Sequence, residues 1–227
     1  SHGYGQPLPD SVAIERLQAA FDAGYRHFDT ATLYGATRNE VVVGKALRDR
    51  RGQLFLASKC GMSAPEPTAR RIIDGRPETL RRQCEDSLRR LQTDYLDLYY
   101  LHRLDPNVPV EDSVGALADL VSAGKVRFIG LSEVSAATLA RADAVHPVAA
   151  VQQEYALWTR NPEIGLLPLC RRRGIALVAF GALGRGFLAG AVPDPEALDA
   201  TDLRRTLPRF QSGNHARHGG SHAGRLL

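Results

Sequence analysis

No apolar run in this chain of 227 residues approaches the roughly 18 residues needed to span a bilayer. The first residues, Ser1-His2-Gly3-Tyr4-Gly5, carry neither the basic nor the apolar stretch of a signal peptide. A cytoplasmic location and no membrane partner are expected. Cysteine is scarce: Cys60, Cys84 and Cys170 are odd in number, far apart and without a CxxC pair, so neither a disulfide framework nor a zinc site is indicated. They read as reduced thiols in or near the core. There is no Gly-x-Gly-x-x-Gly turn, which argues against an open nucleotide-binding sheet. Basic residues are not interleaved with aromatics either. The net charge of +4 comes with arginines grouped in helix-like segments such as Arg81-Arg82, Arg89-Arg90 and Arg171-Arg172-Arg173, so solvated helix faces explain it and nucleic acid is not expected as a partner.

What the chain does have is 44% hydrophobic and 24% charged residues, the balance of an ordinary globular domain with a sizeable core. Its pattern is a repeated unit. Asp10 or Ser11 can cap a helix whose Ile14, Leu17 and Phe21 share a face, Gly24 can end it in the left-handed conformation, and a strand from Arg26 to Thr30 follows. Val114, Leu117, Leu120 and Val121, then Gly124, then the strand Val126 to Ser132 repeat the unit; so do Leu169 to Arg173, Gly174 and the strand Ile175 to Phe180. Between them, Pro77 opens a helix carrying Leu80, Cys84, Leu88 and Leu91 on one stripe, ahead of a strand from Tyr95 to His102, and a short helix from Ser135 to Ala144 precedes the strand Val148 to Gln152.

Strands that are apolar on both faces and separated by amphipathic helices predict a parallel sheet with crossover helices. An open doubly wound sheet and a closed (β/α) barrel both satisfy that. The polar residue that recurs at strand ends favours the barrel, whose chemistry sits at the carboxyl ends of its strands. About six strands can be counted, whereas a closed barrel needs eight.

Three of those strand ends carry chemistry. His27-Phe28-Asp29 ends in an acid and is followed by a turn with Tyr34; Leu54 to Lys59 ends in a lysine; Tyr95 to His102 ends in a histidine. In a barrel, Asp29, Tyr34, Lys59 and His102 arrive on one face. A lysine held by a carboxylate and set beside a phenol favours the phenolate, which makes Tyr34 a proton donor, while His102 can orient a carbonyl. Nothing in this set is a strong nucleophile or a metal cluster, so no metal is expected. The missing reactant is a hydride, and that implies a nicotinamide cofactor.

These residues and their surroundings resemble the aldo-keto reductases, in the bacterial and plant branch with Leu-His-Arg-x-Asp-Pro after the fourth strand. The matching stretches run in order: Gly24 to Ala31 with Tyr34-Gly35, Ala57 to Gly61, Leu101 to Pro106, Gly124 to Glu133, Val151 to Tyr155, and Leu183 to Leu188. The resemblance implies an α/β fold of the (β/α)8 TIM-barrel type over residues 1–211. It implies reduction of aldehydes or ketones to alcohols with NADPH (NADP), with Asp29, Tyr34, Lys59 and His102 as catalytic residues and Tyr34 as proton donor. It places the nicotinamide carboxamide against Ser132 and Gln152, a stacking ring at Phe180, and the pyrophosphate at the loop Gly181 to Arg185, with Gly181, Leu183 and Arg185 as contacts. Tyr155 and Trp158 either line a substrate mouth or pack.

The chain also departs from the family. Gly181-Ala182 stands where Ser-Pro is common, which removes one hydroxyl hydrogen bond worth roughly 1 kcal/mol net, although backbone N–H groups of the loop can still reach an anion. The family's first strand and eighth strand have no counterpart, so the barrel is expected to be incomplete, with two exposed edges that would permit self-association. The resemblance therefore leaves two readings open: a working reductase of small-molecule carbonyls, and a reductase fragment or cofactor-sensing pseudoenzyme. Residues 212–227 are polar and Gly-rich without periodicity and read as a disordered or aberrant tail.

Overall fold

The computed structural model describes residues 3–67, 69–192, 194–211 and 213–217. The chain divides into two compact units, one of residues 9–180 and one made of the residues up to 8 together with those from 181 onward.

The 9–180 unit is built on six parallel strands: β1 (His27–Asp29), β2 (Phe55–Cys60), β5 (Leu96–Leu101), β6 (Val126–Ser132), β7 (Val148–Glu154) and β8 (Ala176–Phe180), adjacent in that order. A short antiparallel hairpin of β3 (Met62–Ser63) and β4 (Ile72–Ile73) follows β2. Helices α1 (Asp10–Asp22), α2 (Arg38–Leu47), α3 (Pro77–Leu91), α4 (Val110–Ser122), α5 (Ala136–Val145) and α6 (Leu166–Arg173) alternate with the strands. This is a curled part of a (β/α)8 barrel, with β1 and β8 as its edges among the described residues. No helix among the described residues is long and apolar enough to cross a membrane.

The strands pair in register, Ala57 with Leu98, Lys59 with Tyr100, Tyr100 with Gly130 and Ser132 with Gln152. Because side chains alternate along a strand, such paired residues share one face of the sheet. The other face makes the main core with the helices: Leu56, Cys60, Tyr99, Leu101, Ile129, Leu131 and Val151 from strands meet Leu80, Cys84, Leu88, Leu117 and Leu139 from helices. The barrel interior is a smaller cluster of Ala57, Leu98, Tyr100 and Ala150, with Phe55 and Val178 against it. The three cysteines are free and buried.

Local chemistry explains most boundaries. Pro77 occupies the first turn of α3, where its missing N–H leaves no bond unmade. Ser135 caps α5, its hydroxyl accepting from the Thr138 N–H at 3.1 Å. The cap expected of Asp10 or Ser11 is not made: Pro9 holds the cap position without a side-chain bond, and Asp10 is the first helical residue. Helix α6 starts at Leu166, three residues ahead of the predicted Leu169, because the apolar stretch before Leu169 continues the same buried face. Helix α2 was not anticipated at all. Its consecutive Val41-Val42-Val43 hide the helical spacing, yet Glu40, Val43 and Leu47 fall on its buried side.

The arginines on helix faces are largely paired in solvent, as Arg81 with Asp119 at 2.6 Å and Arg173 with Asp143 at 2.6 Å. At the amino-terminal ends of the strands, Asp97 is buried and accepts from Arg51 at 2.7 Å, from Arg127 at 2.9 Å and from the Leu56 N–H at 2.8 Å. Both guanidinium groups stack on the Tyr95 ring, 3.9 and 4.3 Å from its centre.

The second unit is irregular, with short 3-10 turns at Gly184–Ala189, Pro195–Ala197, Leu203–Thr206 and Pro208–Phe210. Arg204 is its centre: it pairs with buried Asp202 at 2.7 Å, donates to the Arg185 carbonyl at 3.1 Å and lies over the Tyr4 ring. Part of the predicted tail, 213–217, is helical, and His215 packs edge-on against Phe187 and bonds the Val192 carbonyl at 2.9 Å. Residues 212 and 218–227 of that tail, with His218 and His222, lie outside the described residues.

Candidate active site

Strand β1 ends at Asp29, and its ladder to β2 continues past the strand, Thr30 N–H to the Ala57 carbonyl at 2.9 Å and Thr32 N–H to the Lys59 carbonyl at 3.1 Å. That continuation carries the chain to Tyr34 above the strand ends. Lys59 points from β2 into the barrel, with none of its side chain exposed to solvent. Its ammonium is ion-paired with Asp29 and donates to the Thr30 carbonyl at 2.9 Å. It also lies 4.9 Å from the centre of the Tyr34 ring. His102 follows β5 and is buried, and its ring meets Tyr34 edge to face at 5.7 Å between centres. Thus Asp29, Tyr34, Lys59 and His102, which are far apart in sequence, form one group.

Gln152, from the end of β7, joins them: its side-chain amide donates to the second oxygen of Asp29 at 3.0 Å. Asp29 is therefore held by two donors from two strands. Ser132, at the end of β6, is buried and accepts from Arg103 at 3.1 Å, and the same guanidinium nitrogen donates to the His102 carbonyl at 2.6 Å. Arg103 thereby ties the ends of β5 and β6 together. Phe180 ends β8, and its carbonyl accepts from the Tyr155 N–H at 3.3 Å. Gly181, Leu183 and Arg185 belong to the second unit, where Gly181 and Arg185 have positive φ values of 63° and 55°. The Tyr155 hydroxyl donates to Glu163 at 2.7 Å.

The floor of the group is Tyr100, wholly buried beneath Lys59. Gly130 makes room for it: a β-carbon there would stand 2.5 Å from two atoms of the Tyr100 ring. Burial, with Asp29 nearby, holds the Tyr100 phenol above its usual range, so it stays protonated. Burial first, then the positive charges of Lys59, Arg103 and Arg71, pushes the His102 imidazole down to about 3. At neutral pH it is an uncharged ring, able to donate or accept a hydrogen bond. Two buried polar atoms here, His102 Nδ1 and the Tyr100 hydroxyl, have no hydrogen-bond partner among the described residues. A cavity of about 450 Å³ in the loop after β5, lined by Asp105, Asn107, Thr138 and Arg141 among others, includes none of the group.

Sequence reasoning named the four clustered residues and Gln152 and Ser132, but it gave Arg103 no part. The signal was present, since Arg103 directly follows His102 inside the quoted Leu-His-Arg stretch.

A curled part of a parallel barrel with a carboxylate, a phenol, an ammonium and a neutral imidazole gathered at the carboxyl ends of its strands defines a protein of the α/β-barrel class. Residues 1–218 match the model of the aldo/keto reductase family, and the chain belongs to that family. It is 45% identical over 218 residues to the probable aldo-keto reductase 1 of Glycine max, an alignment covering 93% of this chain and 61% of that protein. The chain thus spans about three-fifths of the length of this relative. Among solved structures it is similar to the glycerol dehydrogenase of Gluconobacter oxydans, at 32% identity and a TM-score of 0.84 over 95% of this chain and 67% of the other. It is also similar to an aldo/keto reductase from Klebsiella pneumoniae in complex with NADP and acetate, at 34% identity and a TM-score of 0.66 over 78% and 60%.

Proposed function

We propose that this chain carries the catalytic centre of a reductase that converts aldehydes or ketones to alcohols with NADPH, Tyr34 delivering the proton. The observation that carries the reading is the single buried ammonium of Lys59, ion-paired with Asp29 and set 4.9 Å from the Tyr34 ring. A cation so placed favours the negative charge that develops on the phenol oxygen as its proton leaves.

The group's residues divide the work. Tyr34, partly open to solvent, gives its proton to the substrate's carbonyl oxygen. His102, neutral and against Tyr34, orients that oxygen by a hydrogen bond. Asp29 holds the Lys59 ammonium in place, and Gln152 holds Asp29 in place.

The donor set fits a nicotinamide carboxamide, which offers one acceptor oxygen and an NH2 donor. Arg103 already fills an acceptor position of the Ser132 hydroxyl, which leaves the Ser132 proton free to donate. Gln152 spends one N–H on Asp29 and keeps its own carbonyl oxygen to accept. Phe180 would supply the flanking ring. When bound, the nicotinamide supplies the hydride that no side chain can. The NADP-bound Klebsiella pneumoniae relative supports this choice of cofactor class.

The test is a fluorescence titration of the chain with NADPH followed by an aldehyde panel read by NADPH oxidation, with Tyr34→Phe in parallel. The reading expects saturable binding in both proteins and turnover lower by about 10²–10⁴-fold in the variant. Equal turnover in the two would remove Tyr34 as the proton donor.

A further inference from the structure

We propose that the ion pair of buried Glu40 and half-buried Arg90, outside the barrel, is the positioning element that fixes Tyr34 against Lys59 and His102. The inference rests on the reductase reading only for its effect on turnover; the placement of Tyr34 is a matter of geometry.

The loop that carries Tyr34 is one that the chain does not adopt unaided. Immediately after Tyr34 come three successive residues with positive φ, Gly35 at 61°, Ala36 at 49° and Thr37 at 77°. Only the first is a glycine, and such a run persists only where its surroundings over-determine it. The anchors lie on both sides. Asn39, in the first turn of α2, donates its N–H to the Tyr34 carbonyl at 3.2 Å and accepts the Thr30 hydroxyl at 2.7 Å.

Its neighbour Glu40 is wholly buried. One oxygen accepts from the Ser58 hydroxyl at 2.5 Å, and Ser58 directly precedes Lys59 on β2. The other accepts from Arg90 of α3 at 2.7 Å. Arg90 in turn donates to the Ser87 hydroxyl at 3.2 Å, and Ser87 bonds the Thr32 hydroxyl at 3.3 Å, two residues before Tyr34. The chain of bonds therefore starts beside Lys59 and ends beside Tyr34, and these two are the residues whose spacing the chemistry requires. Gly44 permits the pair: a β-carbon there would stand 2.5 Å from the Arg90 carbonyl, so α2 and α3 touch backbone to backbone.

Stability alone does not account for the pair. Buried ion pairs repay their desolvation poorly, and apolar residues of similar volume often serve the fold as well or better; fixing one arrangement among several is the better-attested use of such groups. Both ends of this one are spent on the Tyr34 loop and the Lys59 strand.

The test is NMR of aromatic-labelled protein, reading the cross-ring NOE between Tyr34 and His102 in wild type, in the double variant Glu40→Leu/Arg90→Met, and in Ser87→Ala, which removes the hydroxyl that joins Arg90 to Thr32 and leaves the Glu40–Arg90 pair itself in place. The expected result is cooperative unfolding in the variants together with a diminished NOE. In turnover, kcat should be lower by about 10²-fold for the double variant, the scale of a misplacement near 1 Å, while NADPH affinity is unchanged. An undiminished NOE in a cooperatively folding double variant overturns the proposal; if that variant does not fold, an undiminished NOE in Ser87→Ala overturns it instead. A wild-type chain with the NOE and no turnover would sink the reductase reading while leaving the positioning role to be decided by the NOE in the variants.

Discussion

Gly130 of β6 lies directly across the ladder from Tyr100 of β5, and the Tyr100 ring occupies the space that a side chain at 130 would need. The φ of Gly130 is not positive, so the requirement is one of volume, not of backbone freedom. Gly130→Ala should destabilise the protein by about 1–3 kcal/mol, the usual penalty of overpacking a closed core. Denaturant unfolding measures it, and Tyr100→Leu in the same chain should restore most of the loss. A Gly130→Ala protein as stable as wild type would mean that the ring moves freely, and that Tyr100 is not the floor of the site.

His102 makes stability depend on pH with a definite sign. Its folded value, pushed down to about 3, lies below the ordinary value near 6.5 that the unfolded chain shows. Between those two values the unfolded state binds a proton that the folded state refuses. Stability is therefore complete above about pH 6.5 and falls as pH drops toward 3, by at most about 1.4 kcal/mol per pH unit from this group. Urea unfolding at several pH values checks it: His102→Phe should show a shallower slope than wild type across that window. Parallel slopes would mean that the imidazole protonates as readily in the folded chain.

Asp97 organises the opposite ends of the strands, where it neutralises Arg51, itself mostly buried. Asp97→Ala leaves that guanidinium unpaired and takes the acceptor from the Leu56 N–H. The expected loss is about 3–5 kcal/mol, in the range for breaking a buried pair by removing one partner. Thermal and urea unfolding measure it, and NADPH binding by the folded fraction should be unaltered.

Lys59→Met separates folding from chemistry. Asp29 keeps its bond from Gln152 and is partly exposed, so loss of the ammonium leaves no fully buried bare charge. The variant should fold, bind NADPH, and turn over aldehydes about 10²–10⁴-fold more slowly, read by NADPH oxidation. Wild-type turnover in Lys59→Met would take the ammonium out of the proton-transfer step.

The readable parts of this protein were those whose signal is local. Asp29, Lys59 and His102 each lie at or beside the carboxyl end of a short apolar strand, and a polar residue at that position can be seen without a structure. The sheet order then needed only the regular alternation of helix and strand. Glu40 was opaque for the opposite reason. It sits beside three valines that mask the helical period of α2, and its partners Ser58 and Arg90 are 18 and 50 residues away, so nothing in the neighbourhood marks it as buried. Arg103 stood in plain view, but its role depends on reaching Ser132 from the next strand. The Arg185 loop shows the limit most clearly: a non-glycine residue at a φ of 55° has no sequence signature, and it is held by Arg204 from a later turn.

The separation of Asp97 from the Tyr34 group along the same strands has a practical meaning. One rim of the sheet is a fastening, with two cations and a ring clasping a carboxylate; the other is a workbench on which Asp29, Lys59 and His102 are laid out. A designer can exchange the loops that follow the strands without touching the clasp. Conversely, a stabilised version of the chain can be sought by working on the clasp alone, with the chemistry above it left as it is.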